Sequence, residues 1–184
     1  AFIAMAEALA PVRFDHWATA GEVSSWGYPY EAGEPVGAPV KRPEIICFAT
    51  ELGQAGNTYD TVLYVSKESQ RLADAYPNIQ PGFARTLLPN GGSIRPETAA
   101  DSSADGGKST FVVFDESHLW VLPKLKRLHQ VVLRNLLKRK LANGWALETT
   151  TMFAPGEGSV AEGTFDYAQA VKEGRTKDSG STGP

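Results

Sequence analysis

The run FVVFDE, residues 111–116, places Asp115 and Glu116 directly after four apolar residues. A short continuous apolar run of this kind reads as a strand buried on both faces. The two carboxylates then stand at its C-terminal end, where open α/β sheets gather their ligands. Adjacent acids in that position suit phosphoryl transfer. The first helps to hold Mg²⁺, and the second orients or deprotonates an attacking water. An acid pair that simply ends a strand in solvent has the same sequence, so the motif alone leaves both readings open.

The five residues before that strand, GGKST (106–110), imitate the tail of a phosphate-cradling loop. Such a loop, G-x-x-x-x-G-K-S/T, must follow a strand and open a helix, because backbone N–H groups and the helix dipole together hold the anion. Here Ser102 occupies the first glycine's place, and Lys108 and Ser109 run into an apolar strand. GGKST is therefore read as a polar turn that launches a strand.

Other polar groups are expected at the same edge. Thr50 follows the apolar run IICFA, Gln54 comes a turn later, and Thr149, Thr150 and Thr151 end the segment WALETTT. Hydroxyls and an amide at strand ends can sense a γ-phosphate or its water and transmit its loss. A threonine run also has a plain explanation in β-propensity.

These groups need elements to position them. EIICFAT (44–50), STFVVFDE (109–116) and WALETTT (145–151) read as buried strands, with helices between them from Glu51 to about Leu72 and from about Lys124 to Leu141. Strand, helix, strand, helix, strand implies an α/β fold with a predominantly parallel sheet flanked by helices. FARTLL and GSIRPE flank Asn90-Gly91 as a hairpin. Ser159-Val-Ala-Glu162 is a capping box that opens a last helix ending near Gly174, and residues 175–184 read as a loop or the start of a linker. Residues 14–43, rich in Gly, Pro and aromatics, read as a long loop, either a lid or an excursion packed by Trp17, Trp26, Tyr28 and Tyr30.

The helix after the acid pair is basic. No acid occurs between Glu116 and Glu148, and Arg127, Arg134 and Lys138 share one ridge opposite an apolar stripe of Leu125, Leu128, Val132, Leu133 and Leu136. That ridge is either a contact for nucleic-acid phosphates or a solvated face whose last cations complement the helix dipole. His129 falls within the apolar arc and is expected to be packed.

Composition bounds the rest. The chain has 184 residues, 42% of them hydrophobic, and a net charge of −3, enough for one core and too acidic for general attraction to nucleic acid. Cys47, the single cysteine, lies inside IICFA and reads as a small buried hydrophobe in a reducing compartment. No apolar stretch is long enough to span a bilayer. Neither zinc-ligand spacing nor a nucleophile elbow is present.

DESH, residues 115–118, is similar to the DExH form of the Walker B motif in nucleic-acid translocases. Taken with ATELGQAGNTYDTV (49–62), DGGKSTFVVFDESHLW (105–120), LETTTMFAPGEGSVAEGTFDYA (147–168) and APVRFDHW near the start, the chain resembles the ATPase domain of tailed-phage terminase large subunits. The resemblance implies a P-loop NTPase of the ASCE type over residues 1–174 that uses ATP and Mg²⁺ to pump double-stranded DNA into a procapsid. In it Asp115 matches the Mg²⁺-associated aspartate, Glu116 the catalytic glutamate and Thr149–Thr151 the coupling motif. Gln54 lies in a helix associated with nucleotide sensing or DNA coupling.

The resemblance further implies a portal protein and a small terminase subunit as partners, a homo-oligomeric ring, and work in the bacterial host's cytoplasm while docked on a procapsid. The family's phosphate loop would stand just before Ala1, and its nuclease domain beyond Pro184. On that expectation the isolated chain binds ATP poorly and does not turn it over. A DExH-type helicase, or a non-catalytic DNA-binding or assembly module, remains the alternative.

Overall fold

The computed structural model describes residues 1–50, 52–98, 108–138 and 142–176, the side chains of 52–57 excepted. In chain order its elements are α1 (Phe2–Leu9), β1 (Arg13–Trp17), β2 (Pro35–Ala38), β3 (Glu44–Ala49), α2 (Leu52–Glu68), α3 (Gln70–Ala75), β4 (Thr86–Leu87) and β5 (Ser93–Thr98). Next come β6 (Phe111–Asp115), a 3₁₀ turn (Ser117–Leu119), α4 (Pro123–Leu136), β7 (Trp145–Thr149) and α5 (Val160–Lys172).

The main sheet has the order β4-β5-β3-β6-β7. β5, β3, β6 and β7 are mutually parallel, and only β4 runs against its neighbour. Parallel neighbours need crossover connections, and these place helices on both faces. On one face α1 and α2 bury Ala4, Ala8, Tyr59, Val62 and Leu63 against Ile45, Cys47, Phe111 and Val113. On the other, Leu128, Val132 and Leu136 of α4 and Val160 of α5 cover Ile46, Phe48, Val112 and Phe114. With a helix layer on each side, β6 has to be apolar on both faces, which is why its run shows no alternation. The fold is thus the expected α/β architecture, a predominantly parallel sheet flanked by helices.

Local signals act where the sequence places them. Ser159 Oγ accepts from Glu162 N at 3.1 Å and caps α5, and the Glu162 carboxylate in turn accepts from the backbone N–H groups of Gly156 and Gly158. The Asn90-Gly91 turn joins β4 to β5. Beside it, a side chain at Gly92 would strike the carbonyl of Pro43. Cys47 is buried, and desolvation pushes its thiol up to about 12.

Three expectations are corrected. The helix from residue 51 does not run on to Leu72: Ser69 ends α2 and caps α3, accepting from Leu72 N at 3.3 Å. The basic helix stops at Leu136, short of Leu141, where Lys138 N turns back to Asn135 O at 3.1 Å. Leu133 is partly exposed there, at 38%, so the buried stripe is narrower than the projection implies.

The third correction concerns residues 14–43, which hold the antiparallel ribbon β1–β2. The ribbon is closed by Ala18 N→Glu34 O at 2.8 Å and Gly33 N→Ala18 O at 2.9 Å. Trp17 and Trp26 are largely exposed on it rather than packed. At its base Arg13 pairs with the buried carboxylate of Glu7 at 2.6 Å and donates from Nε to Ala142 O at 2.9 Å. Trp145 Nε1 donates to Glu7 at 3.0 Å. One buried acid thereby ties α1, the ribbon and the start of β7 together.

Candidate functional site

β6 ends at Asp115, and the register of the β6–β7 pair sets Thr149 directly beside it. Thr149 Oγ1 donates to Asp115 Oδ1 at 2.7 Å, and Glu116 N donates to the same oxygen at 3.1 Å. Oδ2 accepts from Thr58 Oγ1 at 3.0 Å. Thr58 reaches this point because α2 follows β3 and starts from the C-terminal edge of the sheet, so its second turn overhangs the strand ends. Sequence reading missed it. The signal was a hydroxyl four residues before Val62, which continues the buried face of α2 toward that edge.

Glu116 adopts the left-handed conformation, φ 53° and ψ 49°. For a residue with a Cβ this costs about 1–2 kcal/mol. Two later residues hold the turn: Leu119 N bonds Glu116 O at 2.9 Å, and fully buried Trp120 donates from Nε1 to Asp115 O at 3.2 Å. Trp120 also meets Phe114 edge-on, with ring centroids 5.3 Å apart. The indole thus anchors the strand end next to the reversal at Glu116.

That reversal brings His118 to the carboxylate. Glu116 Oε2 is closed to solvent and lacks a hydrogen-bond donor, with His118 Nδ1 standing 3.1 Å away in poor alignment. The same histidine reaches β7's continuation. Its backbone N donates to Thr150 Oγ1 at 3.2 Å, and Nδ1 lies 3.0 Å from that hydroxyl and 3.5 Å from Thr151 Oγ1. Thr150 spends its own proton on Thr151 O at 2.9 Å, so its oxygen accepts from Nδ1–H.

Asp115, Glu116, Thr149, Thr150 and Thr151 are therefore brought together, with Thr58 and His118 added. Gln54 lies on α2, with its side chain outside the described residues. Among the described residues no group of three or more His, Cys, Asp or Glu could hold a metal. Mg²⁺ does not need one, since it is bound through one or two carboxylates with water and phosphate oxygens completing the shell. The Asp115 carboxylate is a hard oxygen donor of the kind that Mg²⁺ takes.

GGKST does not join this site. Ser109 and Thr110 are buried at the entry to β6, where Thr110 N bonds Glu44 O at 2.8 Å and Thr110 Oγ1 accepts from Glu44 N at 3.0 Å. Gly106, Gly107 and Ser102 lie outside the described residues. Arg127 and Arg134 are exposed on α4, and Lys138 is exposed in the turn that follows it, so the expected three-residue helical ridge loses its last member. His129 is packed against Phe114, with ring centroids 4.6 Å apart, and bonds Glu148 at 2.9 Å. An open groove of about 530 Å³ between α4 and α5 includes Lys126, His129 and Glu148 but none of the acid pair. Among the described residues no helix is long and apolar enough to cross a membrane.

A largely parallel sheet covered on both faces, with an acid pair and hydroxyls at its strand ends, is an α/β core of the kind that binds ligands at the C-terminal ends of its strands. The chain is similar to phage proteins in fold and in sequence. The fold matches the HK97 bacteriophage large terminase with a TM-score of 0.54 at 14% identity, over 73% of this chain and 27% of that one. The Thermus phage P74-26 large terminase ATPase domain aligns at 19% identity and a TM-score of 0.47, over 63% and 50% of the two chains. By sequence the chain is similar to the Gene 13 protein of Mycobacterium phage L5, 27% identical over 187 aligned residues. That alignment spans 98% of this chain and 28% of the relative's length. No family model matches.

Proposed function

We propose that the chain is part of the ATPase of a terminase large subunit, an ATP-driven motor that moves double-stranded phage DNA into a procapsid. The observation that carries this reading is the constellation at the end of β6: Asp115 fixed by Thr149 and Thr58, with Glu116 beside it. The terminase fold of the HK97 protein supports it.

In this reading Mg²⁺·ATP supplies an electrophilic γ-phosphorus and a clamped leaving group. Asp115 would hold the metal through its carboxylate, whose orientation the Thr58 and Thr149 hydroxyls fix. Glu116 polarises the attacking water. Thr150 and Thr151 would sense loss of the γ-phosphate and pass the change along β7, with Gln54 as a second sensor on α2. Arg127, Arg134 and Lys138 contact the DNA backbone. The portal protein, a small terminase subunit and further copies in a ring complete the motor, and a nuclease domain belongs to the same full-length enzyme. It works in the host cytoplasm, docked on the procapsid.

ATP hydrolysis by the full-length protein tests this. Asp115→Asn and Glu116→Gln should each reduce kcat at least a hundredfold while folding is retained. Wild-type turnover in Glu116→Gln would remove the residue from the chemistry.

A further inference from the structure

We infer that His118 is a positioning residue that latches Glu116 against the end of β7, so that the threonines of that strand control when the carboxylate can reach water. The inference rests on Glu116 being the base of the proposed reaction.

A general base must touch the water it deprotonates. In this structure Glu116 Oε2 is closed to solvent and faces His118 Nδ1 at 3.1 Å. That oxygen is therefore shielded from water. The shielding is not a free side-chain choice. It accompanies a left-handed backbone at Glu116, beside which Trp120 Nε1 donates to Asp115 O. A buried polar atom without a partner and a strained φ at one residue mark a state held under tension.

His118 is the link that can release it. The ring stands between Glu116 and Thr150, and both its backbone N–H and Nδ1 engage the same threonine hydroxyl. A shift of Thr150 relative to β6 must move or reorient the imidazole, and with it the shield over Oε2. Thr149, one residue earlier, is bonded to Asp115, so the metal-holding acid and the latch are read by adjacent positions of one strand. No covalent step is involved. The device is a two-position side chain whose resting position is the one described.

The test joins ¹⁵N-histidine NMR on the chain with ATP hydrolysis by the full-length protein. In the wild type, Nδ1 of His118 should carry a hydrogen-bonded proton, and its resonance should move in both Glu116→Gln and Thr150→Val. His118→Ala should raise DNA-independent kcat at least threefold with KM for ATP changed less than twofold, and His118→Gln, which can still bridge the two groups, should restore most of the restraint. An unchanged Nδ1 resonance in Glu116→Gln, or a kcat in His118→Ala that is unchanged or lower, overturns the latch. Full turnover in Glu116→Gln, with the Nδ1 resonance still displaced, would instead overturn the assignment of the base and leave the contact standing. Matching urea midpoints for the variants exclude unfolding as the cause of any change.

Discussion

Thr149 and Asp115 face each other in register across the β6–β7 pair, and the threonine hydroxyl donates a 2.7 Å hydrogen bond to Asp115 Oδ1. The bond ties the edge strand β7 to the acid that ends β6. Thr149→Val keeps the β-branched shape and removes only the donor. Because Thr149 is exposed, stability should fall by less than about 1 kcal/mol. The proposed ATP hydrolysis should fall by roughly tenfold, equivalent to about 1.4 kcal/mol in the barrier. Urea denaturation and steady-state kinetics on one preparation measure both, and an unchanged kcat would leave Thr149 a purely structural residue.

The Glu7–Arg13 pair makes a prediction about stability alone. Glu7 is 5% exposed, and its carboxylate also accepts from Trp145. Removing the guanidinium strands a buried charge, which typically costs about 3–5 kcal/mol. Arg13→Met should therefore lower the unfolding free energy by about 3 kcal/mol, and adding Glu7→Gln should return much of it. A double-mutant cycle in urea checks this, and equal losses in the single and double variants would contradict it.

Cys47 gives a pH signature. Its thiol is raised from 9.0 to about 12 by burial, so the folded state favours the neutral form. A raised folded value means that the stabilisation is complete below the unfolded value and is lost as pH climbs toward the folded one. Between about pH 9 and 12 stability should fall by up to about 1.4 kcal/mol per pH unit more than in Cys47→Ala. The thiol should also resist alkylation at about pH 8 until the protein unfolds. Rapid labelling of the native protein would show that the site opens locally.

How much of this could be seen in the residues alone depends on distance along the chain. FVVFD was legible because a strand between two helix layers must be apolar on both faces, and Ser159 and Asn90-Gly91 were legible because caps and turns act within a few residues. The acid pair could be placed at a strand end for the same local reason. Thr58 could not be assigned to Asp115, because that contact depends on where α2 lies over the sheet. His118 was visible in DESH, but its reach to Thr150 depends on the parallel register of β6 and β7. The ribbon β1–β2 was hidden because its pairing joins segments separated by a long, aromatic turn region with no strand alternation. Order and composition set the layers, and non-local register made the site.

The exposed cations on and just after α4 carry the last prediction. Arg127 and Arg134 project from the helix whose opposite side covers Phe114, and Lys138 lies in the turn after it, so changing them leaves the core untouched. If the ridge holds DNA phosphates, each contact releases a counterion and contributes about 0.9 to the slope of log K against log salt. Reversing all three charges to Glu should then reduce that slope by roughly 2 to 3 units and weaken binding without regard to sequence. Titrations of duplex DNA at several salt concentrations measure it directly. A solvated ridge would leave both the affinity and the slope where they were, and the helix would then serve the fold alone.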